Sequence, residues 1–178
     1  MTSEPVPLRA VDQDSDVEAA RSLARAIGEE LQRRSLWIGA AESLTGGMLS
    51  SFLAEAPNAS AWFQGGIVAY SRAVKLDVLH VRPGPVVSEA AALDMARGAA
   101  ELLGGAITIA VTGVGGPDPQ DDQLPGTVWM AVHAGGVTAA ELLHLEGEPE
   151  QICRAACRAS LELVARRLVV PGIRIECD

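Results

Sequence analysis

Apolar residues recur along the chain at helical and at strand spacing by turns, and that alternation predicts the order of elements. They fall first at Val17, Ala20, Ala24, Ile27 and Leu31, one stripe of a helix that ends near Arg33 and Arg34, where cations suit a helix C-terminus. The short apolar run Leu36 to Ala41 follows as a buried strand. Gly46 to about Ala54 returns to helical spacing until Pro57 and Asn58 break it, and Gly66 to Tyr70 is a second compact run of strand type. A short helix through Lys75 to Leu79 comes next. Beyond Pro83-Gly84-Pro85, Ser88 is the N-cap expected for a helix that turns Ala92, Met95, Ala96, Ala99 and Leu103 inward and closes at Gly104 and Gly105. Ala106 to Thr112 is a third strand.

Gly113 to Pro125 is the longest irregular stretch, with three Gly, three Pro and three Asp, and a loop of that length in a small domain points to function. Two further strands, Gly126 to His133 and Val137 to Leu145, flank Ala134-Gly135-Gly136 as an antiparallel hairpin. A last helix, from about Glu148 to Leu168, carries Ile152, Ala156, Ala159 and Leu163 on one face. Strands alternating with helices predict a three-layer α/β/α domain whose sheet is mixed and mainly parallel. Residues 1–15, with Pro5, Pro7, Asp12 and Asp14 among few apolar anchors, read as a disordered acidic tail. That leaves 16–170 as a single domain and 171–178 as a C-terminal tail.

Composition narrows the function classes. The 178 residues suffice for one hydrophobic core, and no apolar stretch approaches the roughly 20 residues of a bilayer span. Against 14 Lys and Arg stand 23 Asp and Glu, so the net charge of -9 repels phosphate backbones, and six aromatic residues make no stacking platform. Neither nucleic acid nor membrane is an expected partner. Three cysteines, an odd number, behind a polar and acidic N-terminus point to the reducing cytoplasm.

One detail of the charge stands out: 13 of the 14 basic residues are arginine, so Lys75 is the only lysine, and Tyr70, five residues before it, is the only tyrosine. A lysine can lose its proton when desolvated and an arginine cannot. In an open parallel sheet, ligands bind at the loops that leave the carboxyl ends of the strands. Three such loops carry chemistry: Ala41-Glu42-Ser43-Leu44-Thr45-Gly46-Gly47, then Tyr70 through Lys75, then Thr112-Gly113-Val114-Gly115-Gly116-Pro117. Ser43 at a strand-to-helix turn suits a nucleophile or an anion site; equally, Ser43 or Thr45 would serve as a plain helix cap, with Gly46 and Gly47 making the turn. A serine needs a base, and the three histidines offer no Ser-His-Asp order, whereas a neutral Lys75 in a largely apolar pocket would serve, with Tyr70 hydrogen-bonded to either group. The plainer alternative is a surface lysine beside a sheet-edge tyrosine. Thr112 and the amides of Gly113 and Gly116 would reach an oxyanion or phosphate, unless the third loop is only a surface loop.

Other constellations are weaker. Pro117 and Asp118 interrupt any dinucleotide fingerprint, and no phosphate loop ending in Gly-Lys-Ser/Thr exists. Cys153 and Cys157, four apart on one helix, lack two further ligands and read as core cysteines.

Taken in order, Ala41-Glu42-Ser43-x-Thr45-Gly46-Gly47, Gly66-x-Val68-x-Tyr70-x-x-x-x-Lys75, Val87-Ser88-Glu89, Thr112-Gly113-x-x-Gly116-Pro117 and Gly126-Thr127-Val128-Trp129 resemble the C-terminal domain of the competence-damage-inducible protein family, also found alone as nicotinamide-nucleotide amidase. The resemblance spans residues 17–168. It implies a serine amidohydrolase that converts nicotinamide mononucleotide to nicotinate mononucleotide and ammonia, with no metal and no cofactor. By position it implies Ser43 as nucleophile, Lys75 as base, and Tyr70 and Thr112 as supporting groups. The backbone N–H groups near Thr45 and Gly46 would then hold the oxyanion, and Gly47, Gly113 and Gly116 would line the substrate. A homo-oligomer is compatible with this reading. The chain departs from the family pattern at Leu44, where relatives usually have cysteine, in a shorter segment between Val81 and Ser88, and at Gly147-Glu148-Pro149, where Gly-Asp-Arg is frequent. Pro149 cannot make the ionic contact of an arginine, which supports a second reading: a nucleotide-binding or scaffold domain of the same fold without turnover.

Overall fold

Two of the short apolar runs become strands with every residue buried, β1 (Ile38–Glu42) and β3 (Ile107–Gly113), as the continuous apolar character of central parallel strands requires. In the computed structural model, which describes residues 13–168, they sit at the middle of a five-stranded sheet of order β2-β1-β3-β4-β5. Strand β2 (Phe63–Val68) runs parallel to β1, and β1 runs parallel to β3. Strands β4 (Thr127–Ala134) and β5 (Val137–His144) are antiparallel and joined by Gly135 and Gly136, whose φ of 57° and 78° make the two-residue turn that matches strand twist.

Helices cover both faces. On one lie α1 (Gln13–Arg34), α2 (Met48–Glu55) and α5 (Pro149–Leu168), which close the larger core around Ile27, Leu31, Leu53, Trp62, Ile109, Met130 and Leu161. On the other, α4 (Glu89–Leu103) packs Ala92, Met95 and Ala99 on Ala41, Ala110 and Ala131, joined by Val74 of the short α3 (Arg72–Asp77). Fold and layers are those the periodicity predicts. Among the described residues no helix is long and apolar enough to cross a membrane.

The differences lie at element ends, and each has a physical cause. Helix α1 starts at Gln13, so residues 13–15 are helical and not tail; residues 1–12 and 169–178 of the expected tails and domain edge lie outside the described residues. Helix α2 begins at Met48 and not at Gly46, because Gly46 and Gly47 take φ of 59° and 103°, the left-handed region that glycine alone enters freely. Strand β2 spans Phe63–Val68 and not Gly66 to Tyr70, since the carbonyls of Ala69 and Tyr70 leave the ladder to accept a side-chain donor described below. Helix α3 begins earlier than the expected Lys75, at Arg72, because the Ser71 hydroxyl accepts the Val74 N–H at 3.2 Å as its cap. Ser88 and Gly104 cap α4 as expected.

Helix α4 approaches the end of α3 through Gly98. A Cβ there would lie 2.1 Å from the Leu79 carbonyl oxygen, a backbone atom that cannot step aside. In an exposed helix Gly→Ala stabilises by about 1 kcal/mol, but overpacking costs about 1–3 kcal/mol or more, so the clash decides the sign. Gly98→Ala is expected to lower the urea midpoint; a raised midpoint would contradict this packing.

Candidate active site

Parallel register brings the three loops together. Glu42 pairs with Val68 on one side and Val111 on the other, so the chains leaving β1, β2 and β3 emerge at one edge of the sheet. The Ala69 N–H extends the ladder to Glu42 O at 2.7 Å, and the Ser43 N–H donates to Val111 O at 3.0 Å. Ser43 therefore stands between the other two loops, at the end of the central strand, with its residue 8% exposed.

The first loop is built around Glu42, whose side chain is fully buried. One carboxylate oxygen accepts from Thr45 Oγ1 at 2.7 Å and from the N–H groups of Gly47 and Leu49 at 3.0 Å each. The other accepts from the Ser50 N–H at 2.8 Å and from its hydroxyl. A negative charge at a helix N-terminus is favourable both as hydrogen-bond partner and for the helix dipole. The close approach also explains Gly66, where a Cβ would collide with Ser50 Oγ at 1.8 Å.

This arrangement revises the expected duties of the loop. Neither Ser43 nor Thr45 caps α2, and the Thr45 hydroxyl is committed to Glu42. The Gly47 N–H is spent on Glu42 and the Gly46 N–H on Ser43 O, at 3.1 Å, so neither is open to an oxyanion. Among the described residues, the backbone N–H groups of Leu44 and Thr45, the two residues that follow the serine, make no hydrogen bond. Glu42→Gln would turn an NH2 group toward this set of donors. Hydrogen bonds to a charged acceptor are worth about 1.5–3 kcal/mol each, so a loss of about 2–3 kcal/mol in urea unfolding is expected, and less than about 0.5 would contradict the anchor.

Lys75 is 1% exposed and faces inward from α3. Its Nζ donates to Ala69 O at 2.6 Å and to Tyr70 O at 3.1 Å. A neutral amine has two N–H bonds and one lone pair, so two carbonyls that take both hydrogens leave the lone pair to accept a proton. Burial draws the Lys75 pKa down to about 8, partly offset by the charge of Asp121. The amine and Ser43 flank the same ladder step, since Ala69 bonds Lys75 through its carbonyl and Glu42, the neighbour of Ser43, through its N–H.

Tyr70 departs from expectation. The residue is 72% exposed and its phenol makes no hydrogen bond to Ser43 or Lys75; only its backbone carbonyl, beside that of Ala69, holds the amine. Thr112 is buried and its hydroxyl donates to Val86 O at 2.7 Å, which ties the segment before α4 to the end of β3. Gly113 belongs to the sheet: a Cβ there would lie 2.6 Å from Thr127 O, so its missing side chain admits β4 and not a ligand. Gly116, with φ of 94°, precedes a cis bond to Pro117 and lies against Pro125.

Three groups to which the sequence alone gives no part in the site complete the surroundings. Glu42 is legible afterwards as the one charge in a run of Ile, Gly and Ala that ends at a helix start. Asp121, with φ of 51°, accepts the N–H groups of Val86 and Val87 at 2.5 and 3.1 Å; nothing local distinguishes it from Asp118 or Asp122. Cys153 is half-buried and not a core residue: its thiol donates to Leu44 O at 3.1 Å, and burial raises its pKa. Cys157 is buried in the core as expected. Pro149 starts α5, where a missing N–H costs nothing, and its ring comes within 3.9 Å of the Cβ position of Gly116, beside the third loop.

The model of the CinA C-terminal domain matches residues 20–168. The chain is 38% identical over 143 residues to a CinA-like protein of Frankia casuarinae, an alignment of 78% of this chain and 33% of that protein, so it spans about a third of that relative's length. It is 37% identical over 147 residues to a Pseudomonas putida protein named nicotinamide-nucleotide amidohydrolase PncC, covering 79% of this chain and 92% of the relative. A crystal structure of a competence-damaged protein (CinA) superfamily protein from Escherichia coli superposes with a TM-score of 0.82 at 31% identity, over 89% of this chain and 95% of that one.

Proposed function

As the chain belongs to the CinA C-terminal domain family, we propose that it is a serine amidohydrolase acting on nicotinamide mononucleotide, giving nicotinate mononucleotide and ammonia. The observation that carries this reading is the buried Lys75 amine, oriented by two backbone carbonyls beside the serine loop. Ser43 Oγ attacks the carboxamide carbon while Lys75 Nζ takes its proton, and the negative oxygen of the tetrahedral intermediate meets the open N–H groups of Leu44 and Thr45. The C–N bond then breaks as Lys75 returns the proton to the leaving nitrogen. Water, deprotonated by the same amine, then attacks the acyl carbon, and as the ester C–O bond breaks Lys75 hands that proton to Ser43 Oγ, which releases the acid and restores the free serine. Substrate choice follows the name of the Pseudomonas putida relative.

A second reading, binding without turnover, is favoured by Pro149 at the rim near Gly116, where a proline offers a ligand no charge. Incubating the protein with nicotinamide mononucleotide, with ammonia assayed enzymatically and binding measured by calorimetry, separates the two. Ammonia equal to the acid formed supports the amidohydrolase; binding without ammonia supports the second reading; neither would overturn both.

A further inference from the structure

The two peptide groups that carry the open N–H groups after Ser43 are both held by their carbonyls, and the holders differ. The Ser43–Leu44 peptide, which carries the Leu44 N–H, accepts the Gly46 N–H at 3.1 Å, so the turn itself fixes it. The Leu44–Thr45 peptide, which carries the Thr45 N–H, accepts no backbone N–H among the described residues. Its donor is the Cys153 thiol, at 3.1 Å, brought in from 109 positions further along the chain by the start of α5. A Cβ on Gly115 would lie 3.9 Å from the same sulfur, which therefore stands between the serine loop and the third loop.

A trans peptide is planar, with its C=O and its N–H on opposite sides. The one cis bond among the described residues is Gly116-Pro117, so the Leu44–Thr45 bond is trans, and a carbonyl drawn toward α5 turns the Thr45 N–H away from that helix. Leu44 and Thr45 lie in neither strand nor helix, so no ladder holds this peptide against rotation. A hydrogen bond accepted at the carbonyl also polarises the N–H of the same peptide and strengthens it as a donor.

We propose that Cys153 is a positioning residue for the oxyanion site: its thiol fixes the Leu44–Thr45 peptide so that the Thr45 N–H meets the negative oxygen of the tetrahedral intermediate. The role of that N–H rests on the amidohydrolase reading. The thiol donates only while protonated, and burial, together with the charge of Glu150, raises its pKa and keeps it so. Cys157, one turn further along α5, is buried in the core and takes no part.

Leu44-Thr45 is the only Leu-Thr pair in the chain. Protein grown with leucine labelled with carbon-13 at the carbonyl and threonine labelled with nitrogen-15 therefore gives one signal in a spectrum that correlates each carbonyl with the amide that follows it. That signal reports the Leu44 carbonyl and the Thr45 N–H without turnover. Cys153→Ala removes the donor, and Cys153→Val removes it while filling the thiol's place with an apolar group, which separates donation from packing. In both variants the Leu44 carbonyl carbon is expected to move upfield, as a carbonyl carbon does on losing a hydrogen bond. Ammonia release is expected to lose about tenfold in kcat with KM within a few fold, less than the hundredfold or more, roughly, that deleting an oxyanion donor costs, because the N–H remains but is no longer aimed. A carbonyl signal unmoved in both variants would overturn the proposal, and so would a moved signal with wild-type kcat in Cys153→Val. If the wild type releases no ammonia, the amidohydrolase reading fails, while a moved carbonyl signal in both variants still upholds Cys153 as the group that fixes the peptide and an unmoved one overturns it.

Discussion

Ser43→Ala is expected to lower kcat for ammonia release by about a thousandfold or more while the dissociation constant for the nucleotide stays within a few fold. The hydroxyl forms the bond that replaces C–N, so its loss removes the reaction path; it contributes little to ground-state affinity. A thousandfold corresponds to about 4 kcal/mol of barrier. The fold has no reason to change, since the Ser43 contacts with the frame are backbone bonds, its N–H to Val111 O and its carbonyl to the Gly46 N–H. A variant that keeps more than about a tenth of the wild-type rate, a barrier change of only about 1.4 kcal/mol, would remove Ser43 from the nucleophile's role.

Lys75→Arg is expected to be nearly as inactive as Lys75→Met, with kcat lower by about a hundredfold or more in both. An arginine keeps the charge and donors for the carbonyls of Ala69 and Tyr70, but it stays protonated at every accessible pH. The size of the pKa effect shows what burial contributes. With its pKa near 8 and not at the ordinary 10.5, roughly a tenth of the lysine is neutral at pH 7 in place of roughly one part in three thousand. Wild-type kcat/KM is therefore expected to rise with pH through about 8 and level off above it, since the form that accepts the serine proton is present above the folded-state pKa. If Lys75 served only to attract the phosphate, Lys75→Arg would retain most of kcat and Lys75→Met would mainly raise KM. Both variants still need to fold around a buried position, which circular dichroism and the urea midpoint report independently of rate.

Periodicity made the sheet legible because the central strands have no polar face: β1 and β3 are buried throughout and flanked by glycine and helix caps. The strand-to-helix loops were legible for a related reason, as Ser, Thr and Gly cluster where the chain must turn at the sheet edge. What stayed hidden was which atom of each residue does the work. Tyr70 contributes its carbonyl and not its phenol, and Gly113 makes room for β4 and not for a ligand. Composition cannot distinguish backbone from side-chain roles. Asp121 was hidden for another reason, since its partners lie 34 and 35 residues away and its grip depends on a left-handed backbone in an irregular loop. Glu42 lies inside the Ala41–Gly47 motif with no duty visible in the sequence, because an acid at the end of a strand gains its meaning only from the direction in which the next helix starts.

Partition of the wild-type reaction with hydroxylamine tests the covalent path most directly. An acyl-serine at Ser43 is open to either water or hydroxylamine after ammonia has left, so turnover of nicotinamide mononucleotide is expected to divert a rising share of product to the hydroxamate as hydroxylamine increases, with ammonia matching the sum of both products. Ammonia released with nicotinate mononucleotide as the sole product at every hydroxylamine concentration would contradict an acyl-enzyme and with it the assignment of Ser43 and Lys75.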